Sequence, residues 1–189
     1  MPPEGIKAKS HQEILTLEEI LQVTRVASRL GLHKIRLTGG EPLVRLGITG
    51  LVRDVAALPQ VEDVSLTTNG IRLAEMAPEL RKAGLHRVNI SLDTLQAQRF
   101  TQLTRVGNIE HVWRGIEAAL KYGFNPVKIN VVVLKGFNEH EVKDFAQLTA
   151  KEPLHVRFIE VMPIGNNHLG EYVSSQVIES QLRREFALE

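Results

Sequence analysis

"HKIRLTGGEPLVR", residues 33–45, decides the fold. Lys34 and Arg36 alternate with Ile35 and Leu37, the period-2 pattern of a strand with one apolar face. Two glycines, a carboxylate and a proline follow at once, which marks a turn at the strand's carboxyl end. Working outward, residues 16–31 repeat apolar residues at helical spacing, with Thr16 placed to cap and Gly31 to stop. Residues 47–58 read as the helix after the turn. The alternation then continues: strands at 62–70, 87–93, 127–136 and 155–162, and helices at 73–84, 109–123, 139–151 and 174–186. Strands separated by helices imply βαβ units and a parallel sheet.

Buried parallel strands usually read as continuous apolar runs. Here they alternate. Lys34, Arg36 and Thr38 oppose Ile35 and Leu37; Ser65, Thr67 and Asn69 oppose Val64 and Leu66. Asn89, Ser91 and Asp93 oppose Val88, Ile90 and Leu92; Lys128 and Asn130 oppose Ile129 and Val131. The helices require the apolar faces. The polar faces therefore line an interior unlike the apolar layers of an ordinary (β/α) barrel. The expected fold is α/β: a partial (βα) parallel barrel of about five units, open enough to hold a large polar ligand. Glu160 falls on the side of Phe158, so a bulge or an early strand end is expected there. A closed eightfold barrel needs roughly 250 residues, and 189 are present. The helix at 16–31 comes before any strand, so the sheet is expected to lack its first strand and residues 1–189 to form one domain incomplete at both ends.

A 43% apolar composition supports a core, and a net charge of +1 points to neither nucleic acid nor membrane as partner. No apolar run is long enough to span a bilayer, and the amino-terminal residues lack the apolar stretch of a signal peptide. A cytoplasmic location is expected. With no cysteine, neither disulfides nor thiolate-bound metal can form within these residues.

The motifs have bland and functional readings. Gly39-Gly40 can be a simple turn, or a place where bare backbone approaches a ligand and offers carbonyls and Glu41 to an ammonium group. Asn69-Gly70 is a strong turn former. Asp93 is placed to cap the next helix, which leaves Ser91 as the better ligand candidate. Lys128 and Arg36, facing the interior, each demand a carboxylate partner or an anionic ligand. The histidines read as surface or capping residues and Trp113 as packing. Phosphate-binding loops of the G-x-x-x-x-G-K-[ST] type, dinucleotide fingerprints and nucleophile elbows are absent from the sequence.

Five segments, "KIRLTGGEPLVR", "LTTNG", "RVNISLDTL", "VKINVVVLKGFN" and "RFIEVMPIGN", resemble in this order the radical S-adenosylmethionine enzymes, and within them the GTP 3′,8-cyclases of molybdenum cofactor biosynthesis. The resemblance runs from Met1 to about the last helix. It implies S-adenosyl-L-methionine and [4Fe–4S] clusters as cofactors and GTP as substrate, with an electron donor and a homodimer as further partners. The family's C-x-x-x-C-x-x-C cluster motif would end one position before Met1, and the carboxyl-terminal second cluster would also lie outside the chain. Carried over residue by residue, Gly40 receives the amino group of S-adenosylmethionine, and Ser91 and Met162 contact the rest of that cofactor. Arg36, Thr67 and Lys128 bind GTP, with Lys34 reaching toward the triphosphate. Leu46 departs from the pattern, where a second arginine is expected. The implied chemistry is abstraction of the ribose 3′ hydrogen by a 5′-deoxyadenosyl radical, followed by attack on C8 of guanine, with no acid or base required of the protein. Alternatives are another radical enzyme of this kind, such as a peptide-modifying one, or a clusterless nucleotide-binding module.

Overall fold

The computed structural model describes residues 13–105, 107–161 and 171–187. Its first helix, α1 (Leu17–Arg29), opens with a reciprocal cap. The Thr16 side chain accepts from the Glu19 N–H at 3.1 Å, and the Glu19 carboxylate accepts from the Thr16 N–H at 2.8 Å. Five strands follow: β1 (Lys34–Leu37), β2 (Asp63–Thr68), β3 (Arg87–Ser91), β4 (Val127–Lys135) and β5 (Leu154–Glu160). They pair in parallel, strictly in sequence order. The helices between them are α2 (Ile48–Ala56), α3 (Leu73–Lys82), α4 (Ala97–Thr104), α5 (Ile109–Lys121) and α6 (Val142–Lys151), and α7 (Ser175–Glu185) follows β5. Parallel βαβ crossovers follow a right-handed rule, and under that rule an order that never reverses directs the connecting helices to one side of the sheet. That is the logic of a barrel wall rather than of a doubly wound sheet.

Register confirms the two faces. Leu37, Leu66, Val88, Val127 and Leu154 stand level on the helix side, with Ile90 and Ile129 one row further along. All are buried, and six of these seven are at most 4% exposed. The opposite face carries Arg36, Ser65 and Arg87 in one row, Thr67, Asn89, Lys128 and His155 in the next, and Ser91, Asn130 and Arg157 in the third. Among the described residues β1 is paired on one side only, and no helix is long and apolar enough to cross a membrane.

Two elements escape the sequence patterns. Helix α4 has no side-chain cap and buries only Phe100. Its anchor is tertiary: the Arg99 guanidinium donates to Glu141 at 3.0 Å. The two-residue strand β6 (Glu171–Tyr172) pairs antiparallel with the end of β4. Of the two irregularities expected at Glu160, the early strand end is present, because β5 stops there, and the bulge is not. β5 pairs with β4 in unbroken register through Val133 and Glu160. Glu160 does sit on the helix side, because it accepts from the Ser175 N–H at 2.5 Å and hydroxyl at 2.7 Å and so holds the start of α7. Those donors also lower its pKa.

The turn after β2 brings backbone against α5. Gly70 has φ +80°, and a Cβ on Gly115 would lie 2.4 Å from the Gly70 carbonyl oxygen. A backbone atom cannot swing aside. Gly115→Ala should therefore destabilise the protein by about 1–3 kcal/mol, the usual cost of overpacking, read as a lower urea midpoint.

Candidate functional site

The site is built on the polar face and on the carboxyl ends of the strands. At the end of β1, Gly39 has φ +122°, and neither it nor Gly40 has any atom within 4 Å of where a Cβ would stand. Both are exposed, and their carbonyls accept no hydrogen bond from a described residue. A recess of about 240 Å³ borders this turn on its helix side, between Ile20, Leu37 and Ile48. The turn thus presents open backbone acceptors, the chemistry an ammonium group requires.

Glu41 does not join them, contrary to the sequence expectation. One carboxylate oxygen accepts from the Thr68 hydroxyl at 2.7 Å and the Leu43 N–H at 3.0 Å, and the other from the Asn69 N–H at 2.7 Å. The carboxylate fastens the glycine turn to the end of β2, so two motifs 27 residues apart form one unit. Asp93 also departs from expectation. It caps no helix; its carboxylate accepts from the Val132 N–H at 2.8 Å, across on β4. Burial raises its pKa above the ordinary value, with the Val132 hydrogen bond pulling the other way. Beyond it, the fully buried Glu141 accepts from the Thr94 hydroxyl at 2.8 Å and the Leu95 N–H at 2.7 Å. Each carboxylate secures a strand-end loop.

Of the residues singled out in the sequence, Arg36, Thr67, Ser91 and Lys128 come together on the polar face, within three successive rows. Gly40 stands at its rim. Met162 lies outside the described residues. Sequence reasoning passed over Arg87 and Arg157, although the parity that places Lys128 inside also places both: Arg87 is two residues before Asn89, and Arg157 aligns with Asn130. Arg87 is neutralised, its Nε donating to Asp63 at 2.8 Å and its Nη2 donating to the second carboxylate oxygen. Arg36, Lys128 and Arg157 have no hydrogen bond or ion pair to a described residue. Desolvation, then Arg157, Arg87 and Arg36, lower the pKa of Lys128, with Asp63 alone opposing them. Such a surface attracts a multiply charged anion.

The Glu41 clasp should be measurable. Glu41→Gln replaces one acceptor oxygen with a donor and opposes donors with a donor, so it should destabilise by about 1–3 kcal/mol. Thr68→Val should lose less, in the same direction, and Thr68→Ser should keep most of the stability. Thermal unfolding of the three variants checks the order.

The comparisons with known proteins agree with this geometry. The chain is 53% identical over 191 residues to the GTP 3′,8-cyclase of Moorella thermoacetica and 49% identical to that of Desulforamulus reducens. In both alignments all of this chain is covered, but it spans only 59% of the relative. Among solved structures, a radical SAM methyltransferase from Sphaerobacter thermophilus superposes with a TM-score of 0.68 over 88% of this chain and 52% of its own, at 18% identity. Coproporphyrinogen III oxidase from Escherichia coli does so with a TM-score of 0.58 over 89% of this chain and 44% of its own, at 15% identity. These likenesses extend the five-stranded sheet to a known partial-barrel fold. The model of the radical SAM superfamily matches residues 3–149, and the chain belongs to that superfamily.

Proposed function

We propose that this chain is the central barrel segment of a GTP 3′,8-cyclase, which converts GTP to 3′,8-cyclo-7,8-dihydro-GTP at the first step of molybdenum cofactor biosynthesis. The observation that carries the reading is the uncompensated charge of the polar face. Arg36, Lys128 and Arg157 face one lumen without a carboxylate partner among the described residues, and Asp63 is engaged by Arg87. A triphosphate supplies the missing negative charge, and the relatives named GTP 3′,8-cyclase make GTP the substrate of choice.

In this reading Arg36 and Lys128 bind phosphate oxygens of GTP, and Thr67 contributes a hydroxyl from the same row as Lys128. Lys34, exposed at the start of β1, reaches toward the triphosphate from below. Arg157 extends the cationic surface toward the carboxyl ends of the strands. The open carbonyls of the Gly39-Gly40 turn suit the amino group of S-adenosylmethionine, and Ser91, exposed at the end of β3, suits the remainder of the cofactor together with Met162. When bound to a reduced [4Fe–4S] cluster, that cofactor supplies hydrogen abstraction from the ribose of the substrate. The chain has no cysteine, so the thiolate ligands of the cluster come from outside these residues. What the residues of this chain do is bind charge, fix the distance between two nucleosides and exclude water from the space between them. None needs to act as acid or base. An external electron donor, a homodimer and a cytoplasmic location complete the proposal.

The test uses the full-length protein with its clusters reconstituted. GTP-dependent formation of 5′-deoxyadenosine is expected, and its absence would overturn the reading. Arg36→Ala and Lys128→Ala should each weaken GTP binding roughly 10- to 100-fold, the range for a hydrogen bond to a charged group, while S-adenosylmethionine binding is retained. A peptide-modifying enzyme would tolerate both changes.

A pH dependence also follows. A bound polyanion raises the pKa of Lys128 above its depressed free value. The contribution of Lys128 to affinity is complete below the free-protein pKa and is lost as pH rises from there to the bound-state pKa. Titration of GTP affinity should therefore show a decline that begins below the ordinary lysine value of 10.5. Lys128→Arg should move that decline to higher pH, since arginine stays charged.

A further inference from the structure

His155 lies on the polar face of β5, level with Lys128 on β4 and two residues before Arg157. Leu154, Val156 and Phe158 have the opposite parity and point to the helices, Phe158 meeting Phe145 of α6 edge to face. His155 is exposed and has no hydrogen bond or ion pair to a described residue. Three other histidines are used by the fold. His33 Nδ1 donates to the Gln60 carbonyl at 2.7 Å, His86 Nδ1 accepts from the Val64 N–H at 3.0 Å, and His140 stands 3.8 Å from the Glu141 carboxylate. His155 faces the lumen alone. The charged groups on that side are Lys128 from β4, Arg157 on its own strand and, further along the sheet, Arg36, Lys34 and the Arg87–Asp63 pair. Helices α6 and α7 pack on the opposite face of β5, and the turn into the strand adds the exposed Lys151 and Glu152.

We infer that His155 is a further phosphate-binding residue, which engages the polyphosphate end of the substrate as imidazolium and takes up a proton from solvent as the anion binds. The inference rests on the reading of the lumen as a site for GTP. Neutral imidazole has one N–H donor and one acceptor nitrogen, whereas imidazolium has two N–H donors. An ionised phosphate oxygen brings no proton, so the acceptor nitrogen of a neutral ring has nothing to take from it. Imidazole is also the side chain whose charge ordinarily changes near neutral pH, and a neighbouring anion favours the charged form. The proton returns to solvent on release, and no covalent bond to phosphorus is made or broken. Position selects the phosphates over the nucleosides. His155 stands beside Lys128, one row nearer the amino ends of the strands than Ser91, the residue assigned to the cofactor. A lysine at this position would keep its charge in the empty site; histidine supplies it together with the anion.

The experiment uses the reconstituted full-length protein and compares wild type with His155→Gln and His155→Lys. Calorimetric titrations with GTP and with inorganic tripolyphosphate, run at about pH 7 in buffers of different ionisation enthalpy, count the protons taken up on binding. Wild type should take up roughly half a proton more than His155→Gln with either ligand. Protonation of the phosphates and titration of Lys128 are common to both proteins and cancel in the difference. Near about pH 6 His155→Gln, which keeps a neutral donor, should bind both ligands about three- to ten-fold more weakly than wild type. The bound anion raises the pKa of an imidazole, so the gap is full below the free-protein value and closes as pH rises through the bound-state value. His155→Lys should hold the low-pH affinity across the range without the extra proton uptake. S-adenosylmethionine should bind alike to all three proteins. Equal proton uptake by wild type and His155→Gln, a difference in affinity that does not change with pH, or a matching loss of S-adenosylmethionine affinity would overturn the inference. Tripolyphosphate bound with His155-dependent proton uptake, but no binding of GTP, would instead defeat the proposed function and leave His155 a polyphosphate-binding residue. Binding of neither ligand by wild type would overturn both.

Discussion

Everything in this molecule depends on the one-sided placement of its helices. Parallel strands in strict sequence order, under the right-handed rule for their crossovers, leave one face of the sheet without a covering layer of their own. Side chains alternate along each strand, so covering one face and not the other forces a period of two on every strand. The helix side takes Val64, Leu66, Val88, Ile90, Val127 and Ile129 out of water almost completely. The other side is then available for charge, and the chain places three arginines and two lysines there, on β1, β3, β4 and β5.

What keeps that charge uncancelled is the use made of the acidic residues. The chain is nearly balanced, with 23 basic and 22 acidic side chains. Yet the carboxylates nearest the strand ends point at backbone. Glu41 fastens the β1 turn to the end of β2, Asp93 joins the end of β3 to β4, Glu141 secures the loop after β3, and Glu160 holds the start of α7. A carboxylate that accepts such hydrogen bonds is fixed in place and unavailable to a lumen cation. The loops at the strand ends are thereby held by the same groups that would otherwise neutralise the polar face. Asp63 is the exception, and it selects Arg87.

The fold was legible because its signals are local. Period-2 strands, period-3.6 helices, the Thr16 cap and the stops at Gly31 and Gly84 each lie within a few residues of the element they define. The polar lumen was legible for the same reason. What escaped has a non-local cause. Helix α4 carries no cap and one buried residue, and depends on Glu141 some 42 positions away. Strand β6 is two residues long and exists through its pairing with β4. The roles of Glu41 and Asp93 were misjudged because a turn carboxylate reads as a ligand or as a cap until its partner, 27 or 39 positions distant, is known. Arg87 and Arg157 needed only the parity of their strands, but register is required to set them level with the other lumen residues.

The lumen also has an internal order. The row of Arg36, Ser65 and Arg87 lies toward the amino ends of the strands, with Arg87 paired to Asp63 one row earlier, level with Lys34. The middle row sets Thr67 and Asn89 beside Lys128, and the third row sets Ser91 and Asn130 beside Arg157. Across the middle and third rows the side chains on β2 and β3 are neutral, and the cation of each row, Lys128 or Arg157, stands on β4 or β5. A ligand with a neutral, hydroxyl-bearing part and a charged tail can satisfy such a surface in few orientations, because a tail placed over Thr67 and Ser91 leaves Lys128 and Arg157 unpaired. Under the proposed function that restriction would orient the substrate, since the barrier falls only when the reacting carbon and the abstracting group are held close together in line. The gradient across the sheet supplies that constraint from rigid strands rather than from loops, with β-sheet register as its ruler.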